Sequence, residues 1–166
     1  MTARRFQMRV LARCQRGIAA LEFALIFSVL LLVIYVIVTL GAVLYTQQVV
    51  SRSAEDGARA VSLLPTKPLA NDSRIAGAVY DSLAGSLIVP IANSGNPRGW
   101  IADNVVVEVL PFDDGAGNLR ATVVVTYHYS ANRLLPLLPT LGNGLLVPND
   151  LIGRATAARL SEGPSA

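Results

Sequence analysis

Cysteine, histidine and tryptophan each occur once in this 166-residue chain. With Cys14 alone, no intramolecular disulfide can form, so the fold must be held by its core. With His128 alone, a histidine-rich zinc site cannot be built within one chain. Charge is missing in two places. The first sixteen residues hold no acidic side chain, and from Phe23 to Ser51 no side chain is formally charged. Phosphate-binding and nucleophile-elbow sequences are missing as well: there is no Walker pattern, no GxGxxG after a suitable strand and no Gly-x-Ser-x-Gly. Asp113 and Asp114 lack the spaced ligands and terminal glutamate of a calcium loop, and Asp113 to Asn118 reads as a turn. No catalytic residue, metal or cofactor is expected.

What is present begins with charge of one sign. Arg4, Arg5, Arg9, Arg13 and Arg16 put five positive charges before Gly17. By the positive-inside rule they hold this end in the cytoplasm and place the rest of the chain outside. These five account for the basic balance: of 14 basic residues, nine remain beyond Gly17 against 11 acidic ones. The high isoelectric point is therefore a topology signal and gives no support for nucleic-acid binding.

Ile18 to Tyr45 is predominantly apolar, with Glu22 its one formally charged side chain. As a helix this run is roughly 42 Å long at about 1.5 Å per residue, more than the ~30 Å hydrocarbon core, so it spans with some tilt. An ordinary secretory signal fits poorly, because its apolar region is about 7 to 15 residues and ends at a small-residue cleavage site. A lipoprotein site at Cys14 fails because the apolar segment follows that cysteine, which leaves Cys14 as a leader residue. Glu22 is the anomaly, since a carboxylate deep in lipid costs on the order of 2.5 to 3.5 kcal/mol. Two roles are open to it. It either snorkels back to water or to Arg16 near the cytoplasmic interface, or it awaits a positive partner.

Basic leader, glycine, four apolar or small residues and then Glu22-Phe23: this arrangement resembles the prepilin-peptidase site of type IV pilins, particularly their short-leader Flp and TadE-like branch. The resemblance implies a cut between Gly17 and Ile18, which makes Glu22 the fifth residue of the mature chain. The new amine of Ile18 would pair with Glu22 of a neighbouring subunit in an apolar filament core, removing a costly unpaired charge and setting register. Glycine before the cut lets a peptidase approach the backbone closely. Glu55-Asp56-Gly57-Ala58-Arg59 also looks TadE-like, being one acidic residue longer than that family's Glu-Gly-Ala-Arg. An ordinary salt bridge from Glu55 to Arg59 accounts for the same residues.

The helix is expected to continue from Gly17 to about Leu63. Val50, Ala54, Ala58 and Val61 form one stripe toward a domain, with Arg52, Glu55, Asp56 and Arg59 on other faces. Gly57 marks a close contact or a bend. Pro65 and Pro68 end this helix, and Asn71-Asp72-Ser73 caps a second from Ser73 to about Leu83 with Ile75, Val79 and Leu83 inward. Pro90 to Gly99 reads as a loop with little regular structure, followed by Trp100 as a core anchor or an exposed binding residue. Asn104 to Leu110 and Leu119 to Tyr129 read as an antiparallel hairpin with Val123, Val125, Tyr127 and Tyr129 on one face. Leu151 to Leu160 is open to strand or short helix, and the TadE-like resemblance implies a strand. Leu134 to Val147 is apolar but too broken by proline and glycine to span a membrane; it is either an interaction surface or a loop over the sheet edge.

The expected organisation is α+β: residues 1–17 a basic leader, 18–46 a transmembrane and assembly helix, 47–63 its extension, and 64–166 an exported head with a short helix and about three antiparallel strands. The resemblance implies a minor pilin or pseudopilin of a tight-adherence pilus, held in a bacterial inner membrane with its N-terminus cytoplasmic. Its implied partners are a prepilin peptidase, other pilins, the assembly platform and membrane lipid, with no nucleic acid. Rival readings are an uncleaved single-pass scaffold, an extracellular adhesin module and an enzyme.

Overall fold

The structure is a computed structural model that describes residues 3–64, 67–113, 119–135 and 147–158, and the side chains of these except 3–17, 113 and 119. The turn at Asp114 to Asn118 and most of the apolar crossing between Leu134 and Val147 lie outside the described residues. The chain divides into two compact units, Met1–Gly41 and Ala42–Ala166.

Helix α1 runs Ala3–Leu63 and supplies the described part of the first unit. It starts inside the basic leader, earlier than Gly17, because nothing between Ala3 and Arg16 breaks a helix: arginine, alanine, leucine and glutamine all propagate one, and proline and glycine are absent there. From Ile18 to Ile34 its side chains are exposed throughout.

In the second unit α1 changes character. Val50, Ala54 and Val61 are fully buried and Ala58 nearly so, as the spacing requires, while Arg52, Glu55 and Arg59 are exposed. Asp56 departs from that reading. It is half-buried, accepts a hydrogen bond from Ser82 Oγ at 2.6 Å, and pairs with Arg59 at 3.8 Å, so the ion pair runs i to i+3 from Asp56 and not from Glu55. Gly57 is a close-packing site: a Cβ there would lie 2.6 Å from Val79 Cγ2 and 3.1 Å from Val123 Cγ1.

Helix α2 (Ser73–Ala84) is capped by Asp72, whose side chain accepts from the Arg74 amide at 3.0 Å. Arg74 also closes on both oxygens of Asp72, Nε to Oδ1 at 3.1 Å and Nη2 to Oδ2 at 2.9 Å. Chiefly through this side-chain hydrogen bonding, and then the amide bond, the Asp72 carboxyl is lowered to about 2. Asn71 sits at φ 56, a left-handed conformation that asparagine tolerates. There its amide donates to Val109 O and its side-chain oxygen accepts from the Val109 amide, each at 3.4 Å, so the α2 cap is clipped to a strand edge. Ile75, Val79 and Leu83 are fully buried.

The stretch read as an irregular loop contains a 3₁₀ turn at Ile91–Asn93 and a third helix, α3 (Pro97–Asn104). Asn96-Pro97 is a helix start: Asn96 Oδ1 accepts from the Gly99 amide at 3.1 Å, and proline occupies the first turn, where no amide is needed. Burial of Ile101 holds this short helix in place, with Trp100 half-buried against the core. Arg98 bridges to Asp81 on α2 at 2.7 Å.

Strands β1 (Val105–Asp113), β2 (Leu119–Tyr127) and β3 (Leu151–Ala158) form one antiparallel sheet in the order β1-β2-β3. Val109 pairs with Val123, and Val125 sits between Val107 and Gly153. Val123, Val125, Tyr127 and Tyr129 are buried on one face as the alternation requires, while Thr126 is half-buried and His128 exposed on the other. β2 ends at Tyr127, two residues short of expectation, because the Tyr129 amide turns back to Tyr127 O at 2.9 Å. Tyr127 hydroxyl donates to Asn132 O at 2.8 Å, and burial, with Tyr129 beside it, pushes its pKa up to about 12. β3 lies against α1 with almost no space between: a Cβ on Gly153 would stand 2.5 Å from Val50 O.

Full-length protein in detergent micelles should therefore lose about 1–3 kcal/mol of head stability on Gly57→Leu or Gly153→Ala, through overpacking. Gly85→Ala, where nothing lies within 4 Å, should stay within about 0.5 kcal/mol; chemical denaturation of the three variants checks this. A second expectation follows from Asp72. Its folded pKa of about 2 lies below the usual value of about 3.9, so its contribution is present above roughly pH 4 and is lost as the pH falls toward 2. Asp72→Ala should cost about 1 kcal/mol at neutral pH, Asp72→Asn less because it retains a cap oxygen, and both should flatten that acid arm of a stability titration.

Candidate functional site

Among the described residues, no group of three or more His, Cys, Asp or Glu side chains could hold a metal. His128 is spoken for by Asp150, with Nδ1 and Oδ1 2.7 Å apart at a half-exposed site. Together with the Ser130 amide bond to Asn149 O at 2.9 Å, that pair staples the two ends of the crossing segment. Its role in the structure is a tie between loop flanks.

The site singled out by the sequence lies on the first unit. Gly17 is within α1, as are Arg4, Arg5, Arg9, Arg13 and Arg16, whose side chains lie outside the description. Ile18, Glu22 and Phe23 are all exposed, Ile18 by 66% and Phe23 by 67%. Phe23 stacks on Phe27 one turn along, with ring centroids 5.7 Å apart and planes 14° from parallel. Glu22 makes no ion pair or hydrogen bond to any described residue. The structure thus presents Ile18, Glu22 and Phe23 on one unburied helical segment and brings no partner to the carboxylate among the described residues.

Backbone polarity on this segment is internally satisfied, which is the requirement for a segment in lipid. Its hydroxyls follow the same rule. Ser28 Oγ donates to Ala24 O at 2.7 Å and Thr39 Oγ1 to Tyr35 O at 2.8 Å, each one turn back. In the second unit Thr46 does the same to Ala42 O at 2.8 Å. The helix from Ile18 is long and apolar enough to cross a membrane by length and composition. This one apolar helix near the N-terminus, leading into a small α+β unit, fits a membrane-anchored protein.

Residues 17–59 match the family model described as TadE-like protein. The match opens on Gly17 and closes on Arg59, so it takes in the junction, the apolar run and the Glu55 to Arg59 segment, about a quarter of the chain. It is consistent with a TadE-like protein of the tight-adherence pilus system, which is not an enzyme family. The head from residue 60 onward lies outside the match. No curated protein and no solved structure matches the chain.

One feature of the second unit had no counterpart in the sequence reading. A groove of ≈ 510 Å³ opens between α1 and the end of α2, lined by Tyr45, Gln48, Arg52, Asp56, Ser82 and Ser86. Tyr45 hydroxyl accepts from the Leu87 amide at 3.3 Å at its rim. Its helical half was open to view, since Tyr45, Gln48 and Arg52 are spaced three and four apart; the α2 half required the tertiary fold.

Proposed function

We propose that this chain is a minor pilin or pseudopilin of a tight-adherence pilus, licensed for assembly by a peptidase cut between Gly17 and Ile18. The observation that carries the reading is the coincidence of three features at one junction. The family match begins at Gly17, the apolar helix that follows is exposed from Ile18 to Ile34, and Glu22, the sole charge within it, has no partner among the described residues. Insertion with the arginines inside leaves the head exported. The cut then creates a cation at the Ile18 amine, and Glu22 of a neighbouring subunit is its counterpart once both leave lipid for a helical bundle. Pairing offsets part of the cost of burying each charge in an apolar bundle and sets the axial offset between subunits.

The rival reading is an uncleaved single-pass scaffold, in which α1 stays continuous through Gly17. The mass of the mature N-terminus separates the two. In cells with active prepilin peptidase, the membrane or sheared-pilus fraction should yield a chain starting at Ile18; retention of Met1 to Gly17 would sink the pilin reading. Glu22→Ala should insert and be cut normally yet be depleted from assembled material. Its normal incorporation would make Glu22 an interfacial carboxylate that snorkels to water.

A further inference from the structure

The loop after α2 exposes two large aliphatic side chains that the core does not use: Leu87 is 76% and Ile91 92% exposed, while Ile88 between them is buried. Ile88 anchors the loop, so its neighbours are held outward and do not fold in. The Leu87 amide donates to Tyr45 hydroxyl at 3.3 Å, which sets this loop beside the last residue of the apolar run. Tyrosine at the end of such a run is the residue type that marks the boundary between hydrocarbon and headgroups. Ile91 lies four residues on, at most about 14 Å of chain from Leu87.

Beside Tyr45, the groove adds the complementary chemistry. Arg52 lies seven residues beyond Tyr45, about 10 Å along the axis, and a helical side chain leans toward the N-terminus, so its guanidinium is carried back toward the boundary. Both residues line the same groove, with Gln48 between them. Among the described residues Arg52 has no ion-pair partner. The carboxylate nearest to it in the groove, Asp56, is occupied by Ser82 and Arg59. Aliphatic side chains at the depth of an interfacial tyrosine, with a cation one step farther out, match the layering of a phospholipid leaflet.

We propose that the head docks on the outer face of the bilayer its own helix crosses, with Leu87 and Ile91 entering lipid beside Tyr45 and Arg52 meeting headgroup phosphates. A second copy of the chain is the competing occupant. Continuity with the apolar run through the Tyr45 bond to Leu87 decides for lipid, because that bond ties the loop to the boundary in each single subunit. This docking rests on the membrane-anchor part of the function proposed above and is independent of the cut at Gly17. It would hold the head at the surface before assembly and release it when the helix leaves lipid.

The test uses the full chain with Cys14→Ser and single nitroxide labels placed through Leu30→Cys, Leu87→Cys, Ile91→Cys or Leu110→Cys, reconstituted in phosphatidylcholine vesicles with or without phosphatidylglycerol. Collision with dissolved oxygen against a water-soluble nickel chelate reads depth at each label. The expected result is a high oxygen-to-nickel ratio at 30, a clearly raised ratio at 87 and 91, and a low one at 110 on the outer sheet face. Phosphatidylglycerol should raise the ratio at 87 further, and Arg52→Ala should abolish that increment. Aqueous values at 87 and 91 with 30 embedded would overturn the docking alone, whereas an aqueous 30 would overturn the anchor reading beneath it. Labels at 87 and 91 shielded from both reagents, with line broadening that vanishes on dilution with unlabelled chain, would assign the surface to a second copy and overturn lipid as its occupant.

Discussion

The head depends on one approach between backbones, that of β3 to α1 at Gly153 and Val50. A side chain at Gly153 would collide with the Val50 carbonyl, so the distance between helix and sheet is set by the absence of a Cβ. The rest of the seam follows in kind: Ala54, Gly57 and Ala58 on α1, and Ala121, Ala155 and Ala157 on the sheet, are small where they face the core. Close approach lets the larger residues, Ile75, Val79, Leu83, Ile101 and Tyr127, fill the space on either side at interior packing density. Overpacking here would displace two elements at once, which is why glycine is retained in a helix interior that it weakens by about 1 kcal/mol.

Polar groups follow the same economy. The buried hydroxyls of Thr46 and Ser53 are returned to carbonyls of their own helix, and Asp72 is consumed by its cap and by Arg74. Among the described residues these buried polar groups are spent inside the protein, while Arg133 Nε, just beyond β2, is buried without a hydrogen-bond partner. A single helix carries two burial regimes in sequence: all its faces are open and, Glu22 and Ser28 aside, apolar from Ile18 to Ile34, and one stripe is covered from Val50 to Val61. The family match spans the first regime and ends at Arg59, within the second.

Wherever a periodic pattern was long, its reading survived. Four residues spaced along α1, three along α2 and alternate residues along β2 suffice because a helix or strand of that length has one apolar face to bury. The third strand, ambiguous between helix and sheet on propensity, became a strand through pairing with β2, where Gly153 finds its place opposite Val125. Reading failed at short range. Asn96-Pro97 has the same composition as a turn, and only the burial of Ile101 makes eight residues after it worth ordering as a helix. Glu55 and Asp56 are adjacent acids with Arg59 in reach of either; the choice fell to Asp56 because Ser82, a residue of another helix, already holds it toward that side.

The amino-acid sequence by itself determined the charge asymmetry about Gly17, the apolar run with its single carboxylate, and the faces that helix and strand must bury, because these depend only on residue type and period. Tertiary structure alone decided which acid pairs with Arg59, that a helix follows Pro97, and that Leu87 is brought to Tyr45. Each of those rests on a contact between residues far apart in the chain, and the free energy of such a contact exists only once the core has closed.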